Sequence, residues 1–135
     1  MENVSINHLA VIVAALSDLL VGALWYSPLL FVKAWKRETG LTDEKLKQGS
    51  MILTFGLAFV FSLVITYNLA FFLGSGDMKL GDYLMYSFLA GFGWVAMALG
   101  IISLFEKKSW KYILISWGYI VVAFVLKGLI LGLWR

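Results

Sequence analysis

The sequence predicts an all-α membrane protein: a single domain over residues 1–135, built as a polytopic four-helix bundle with four transmembrane helices and both termini on the same, non-cytoplasmic side. Three observations carry that expectation. The chain is 61% hydrophobic with a mean hydropathy of +0.89. Four apolar runs are each long enough to cross a bilayer, and the basic residues gather in two of the segments between runs. A soluble domain of 135 residues has too little interior to hide so much apolar surface. Lipid is the solvent that accommodates it.

Residues 1–7 are polar, carry one acid and lack Lys and Arg. A secretory leader wants a basic start and a small-residue cleavage site after a short apolar core. Here the apolar run continues, broken only by Asp18, so residues 8–31 are expected to form a retained first span, with Asn7 or Ser5 capping its start. Along it Ala10, Ala14, Asp18, Gly22 and Tyr26 recur every fourth residue, which places one carboxylate on a stripe of small side chains.

Pro28 removes a donor and disfavours helix at Ser27, so the helix kinks or stops there. Trp25, Tyr26 and Trp35 have the amphipathic rings of a headgroup belt, and Lys33, Lys36 and Arg37 follow at once. Residues 33–49 form the one sizeable aqueous loop, with Thr42-Asp43-Glu44 opening a short surface helix to about Gln48. Residues 50–73 are uncharged, about 24 residues or roughly 36 Å of helix, enough for a core of about 30 Å. A polar turn over 74–82 follows, with Asp82 as the expected cap of a third span at 83–105 that is rich in Gly and Ala. A short basic turn at 106–111 leads into the fourth span, 112–134, which holds one charge, Lys127.

The 33–49 loop and the 106–111 turn together collect Lys33, Lys36, Arg37, Lys45, Lys47, Lys107, Lys108 and Lys111, against Lys79 and Arg135 on the other side. The positive-inside rule then puts those loops in the cytoplasm and both termini outside it, in an inner (cytoplasmic) or plasma membrane. The two halves match in hydropathy but not in residue pattern, so an inverted repeat gains no support.

The run Gly22-x-x-Trp25-Tyr26-Ser27-Pro28-Leu29-Leu30-Phe31-x-Lys33-x-Trp35 resembles the hallmark of a family of small integral membrane proteins, the domain of unknown function 1761. The tail is similar too: Gly118-Tyr119, then Gly128-x-x-Leu131-Gly132-x-Trp134. The resemblance covers essentially the whole chain and implies a four-span membrane protein with no assigned chemistry. Asp18 and Lys127 lie outside the motifs that carry it.

An ionisable group within a span is costly unless paired or hydrated, which makes Asp18 and Lys127 the leading candidates. Asp18 lies roughly 15 Å into its span and Lys127 roughly 10 Å into its own, both from the non-cytoplasmic side. A helical side chain leans toward its own N-terminus, so Lys127 leans toward the level of Asp18. One reading is a buried salt bridge joining the first and fourth helices. A second turns Lys127 outward and leaves Asp18 neutral. A third makes Asp18 an ion- or proton-coupled binding site. In architecture alone the chain is similar to small multidrug resistance transporters, with Tyr67, Trp94, Trp117 and Tyr119 as aromatic walls for a cation.

His8 reads as an interfacial polar group with a weak claim to a proton role. Ser62, Thr66 and Asn68 read as hydrogen-bonding groups of the second helix. Gly128 and Gly132 have the spacing of a close helix contact, either within the chain or between copies. Without cysteine, with one histidine and one mid-span acid, the chain offers no constellation for catalysis, metal or cofactor. The expectation is a non-enzymatic structural or accessory subunit, a homo-oligomer or part of a larger membrane complex, with the lipid bilayer as partner and no nucleic acid. A transporter using Asp18 is the alternative.

Overall fold

Asn7 begins the first helix: its side-chain oxygen accepts the Ala10 N–H at 3.1 Å. The computed structural model describes residues 6–74 and 78–134, all helix and connection. Ser5, the middle of the 74–82 turn and Arg135 lie outside the described residues. Helix α1 spans His8–Trp25 and stops short of the expected residue 31. The cause is local. Ser27 accepts the Leu29 N–H at 3.2 Å and donates to the Leu24 carbonyl at 2.7 Å, so its hydroxyl replaces helical partners just where Pro28 has none to offer.

The segment expected as a loop with one short surface helix after Thr42 holds that helix and another before it. Helix α2 (Val32–Thr39) ends on Gly40, whose φ of 73° is the left-handed conformation of a glycine cap. Helix α3 is the single turn Asp43–Leu46, capped by the Thr42 side chain. Ser109 donates to the Glu38 carboxylate, which ties α2 to the start of the last helix. The segments holding both groups of basic residues therefore sit at one end of the bundle.

Helix α4 (Met51–Leu73) is capped by Ser50. The next helix starts at Leu80 rather than Tyr83, because Asp82 serves from within the first turn: its carboxylate accepts the Lys79 N–H at 3.1 Å. It runs as α5 (Leu80–Ala90), a π-helical segment over Gly91–Ala96 and α6 (Met97–Phe105), one continuous rod. Along it the buried positions step Tyr83, Ser87, Gly91, Ala96, Gly100. The wider π turn supplies the one five-residue step that keeps the seam facing its neighbour. Helix α7 (Trp110–Leu133) closes the bundle. Among the described residues four helices, with α5 to α6 counted as one, are long and apolar enough to cross a membrane.

The last helix is the hub. Helix α7 packs on α1 along one flank and on α5 and the π segment along the other, while α4 rests chiefly on α1 and barely touches α5 or α7. Close approach depends on missing side chains. A Cβ on Gly128 would collide with the Ser87 hydroxyl and come within 2.9 Å of the Tyr83 carbonyl, and one on Gly132 would meet Leu80 at 2.8 Å. Of the two uses open to the Gly128–Gly132 spacing, the structure has the contact within the chain. Asn7 Nδ2 donates to the Trp134 carbonyl at 3.0 Å, so the first and last described turns meet.

Candidate functional site

The four-residue stripe on α1 puts Ala10, Ala14 and Asp18 against α7, and the i, i+4, i+8 series Tyr119, Ala123, Lys127 on α7 answers it. Lys127 Nζ lies 2.5 Å from Asp18 Oδ2, and the lysine is fully buried. Tyr119 donates its phenolic hydroxyl to the other carboxylate oxygen. From α4, Ser62 Oγ stands 2.9 Å from Asp18 Oδ2 and 3.1 Å from the Ala15 carbonyl, one hydroxyl proton between two acceptors. Three helices thus converge on one carboxylate. Lys127 Nζ also lies over the Phe124 ring, 5.1 Å from its centroid.

Each oxygen of Asp18 has a donor from the protein itself, and in a low-dielectric interior those bonds are strong because water does not compete. Of the three readings open to Asp18 and Lys127, the structure has the ion pair between α1 and α7. Tyr119 as a donor to the acid was missed, having been read as a wall. Its spacing from Lys127 on one helix face was the available signal.

The other aromatic residues do not gather around Asp18. Trp94 stands 60% exposed on the bundle flank, against Phe72 with ring centroids 5.2 Å apart. Trp117 donates to the Ala96 carbonyl at 2.7 Å. Tyr67 hydrogen-bonds His8 Nδ1 at 2.8 Å, so the histidine has a partner across helices rather than standing alone. Asn68 donates to the Val64 carbonyl at 2.8 Å and is otherwise exposed; Thr66 donates to Ser62.

Gly118 and Tyr119 of the tail motif meet the first motif at the α1–α2 corner, while Gly128 and Gly132 pack on α5. Trp25 donates its indole N–H to the Ile115 carbonyl at 2.8 Å, and its ring lies where a Gly118 Cβ would be. Tyr26 sits between Trp35 and Tyr119, with centroids 5.1 and 5.9 Å away, and Gly22 lets the Tyr119 ring approach α1. These rings, expected as a surface belt, are half-buried and turned onto α7. Lys33 is exposed.

Fold and site together define a small polytopic helical protein whose four long apolar helices suit a membrane and whose polar centre is an internal ion pair. The chain belongs to the family described as protein of unknown function (DUF1761), whose model matches residues 9–132. No curated protein and no solved structure matches it.

Proposed function

We propose that this protein is a non-enzymatic structural or accessory subunit of an inner or plasma membrane, a bundle that presents a fixed outer surface to neighbouring membrane proteins. The observation that supports this reading is the closed state of Asp18: Lys127, Tyr119 and Ser62 all point to its carboxylate. A coupling site for an ion or substrate needs an acid that exchanges partners, and aromatic walls beside it. The basic residues of α2, α3 and the 106–111 turn favour the cytoplasm for that end and the outer face for both termini.

The test is purification at native abundance in mild detergent, with the accompanying proteins identified and counted. A stoichiometric membrane partner is the expected result. The reading is overturned if no partner accompanies the chain and tetraphenylphosphonium binds with release of a proton, in a manner lost in Asp18→Asn.

A further inference from the structure

Helix α4 and the α5–α6 rod are consecutive in the chain yet scarcely touch, because each leans on a different flank of the α1–α7 pair. Between them runs an apolar groove of about 340 Å³, which adjoins a second hollow of about 220 Å³ and shares Leu69, Phe72, Ala90 and Trp94 with it. Volume and lining are those of a small-molecule site: apolar walls, aromatic rings and few polar groups.

Two of the lining residues carry hydrogen-bonding capacity that the fold leaves unused. Trp94 lies in the π segment, midway along its rod, and its indole N–H has no acceptor among the described residues. Both Trp25 and Trp117, by contrast, donate to carbonyls. Tryptophan commonly sits at headgroup depth, where water takes the N–H; at mid-helix in a bilayer no water is at hand, and an unmet donor is costly. Asn68, on the opposite wall, donates one amide hydrogen to the Val64 carbonyl and has a second with no acceptor among the described residues.

We infer that this groove binds a flat, membrane-dissolved carbonyl compound, of which a quinone with an apolar tail is the type. This rests on the membrane placement proposed above. Two spare donors ask for an acceptor, which a quinone carbonyl supplies. Phe72 and Trp94, packed edge to face, and Phe124 give the groove an aromatic wall against which a planar head can lie, and the adjoining apolar hollow takes the tail. An acyl chain of a phospholipid has no acceptor at that depth and leaves both donors unmet.

The test uses the full chain in phospholipid nanodiscs, with an azido-quinone as photoreactive probe and decylubiquinone as competitor. Recovery of folded protein in the discs, before any probe is added, reads membrane placement separately. The expected result is saturable labelling within residues 64–72 or 90–95, displaced by decylubiquinone and about fivefold weaker in each of Asn68→Leu and Trp94→Phe. Both substitutions fall on exposed side chains, so the bundle persists. Labelling that does not saturate, or that is equal in the variants, overturns the inference. So does a cross-link between copies through Val64→Cys that excess decylubiquinone leaves undiminished, since the groove is then covered by a second chain.

Discussion

Tyr119 donates to the same carboxylate, Asp18, that Lys127 neutralises, so one face of α7 grips α1 at two points two turns apart. A buried ion pair is poor evidence for stability as such, since desolvation offsets the attraction. Breaking one side of it is another matter. Asp18→Asn or Lys127→Met alone is expected to cost about 3–5 kcal/mol, and the pair of changes together much less than the sum. Thermal unfolding of all four forms in one detergent measures the coupling; simple additivity excludes the pairing.

The phenol contributes separately. Tyr119→Phe removes a bond to a charged acceptor while keeping the ring that packs on Gly22 and Tyr26, and should cost about 1.5–3 kcal/mol. In an Asp18→Asn background the same change should cost clearly less, which a second cycle on unfolding temperature resolves.

Two glycines of the π segment should behave oppositely. A Cβ on Gly91 would lie 2.7 Å from the Phe124 side chain, so Gly91→Ala must push α7 away and is expected to destabilise by about 1–3 kcal/mol. Gly93 has nothing within 4 Å of its added Cβ, and Gly93→Ala should be neutral or stabilising by up to about 1 kcal/mol. Comparing the two unfolding temperatures decides whether packing or conformational freedom governs that segment.

At the α1–α2 corner, Trp25→Phe retains a ring but loses the bond to Ile115, at a cost of about 1 kcal/mol. The corner anchors the segment 33–49 to the bundle, so limited proteolysis there should quicken while cleavage elsewhere is unchanged.

The link between α2 and α3 is acid-sensitive. Lys36 pairs with Asp43 and, by its hydrogen bond and charge, holds that carboxyl below the usual carboxylate range. A depressed value means the tie is present above the ordinary carboxylate range and is lost as pH falls through the lowered one. The pair is exposed, so salt should weaken it. Carboxyl-carbon NMR should show Asp43 titrating at the ordinary position in Lys36→Met.

Hydropathy and charge made the four helices legible, and helical depth made the meeting of Asp18 and Lys127 legible too. What escaped depends on which faces oppose each other. Tyr119 and Trp94 look alike as mid-span aromatics; only the rotation of their helices sends one to the carboxylate and the other to the flank. The π turn also left no mark, because Gly91 and Gly93 read equally as small packing residues. Helix α2 was hidden by its charges, which suggested a solvated loop, though Trp35 and Val32 already gave it an inner face.

Placing the hub in the last helix has a consequence for biosynthesis. The ribosome releases Asp18 roughly a hundred residues before Lys127, an interval of several seconds at about 5–20 residues per second. Until then the acid sits in an apolar helix with no cation to meet it, and, although α4 can already pack on α1, the α5–α6 rod has little to rest on. Closure of the bundle therefore waits for α7 to emerge. A nascent chain stalled before α7 should be held by the insertion machinery or removed by membrane proteases, rather than accumulate as a three-helix product.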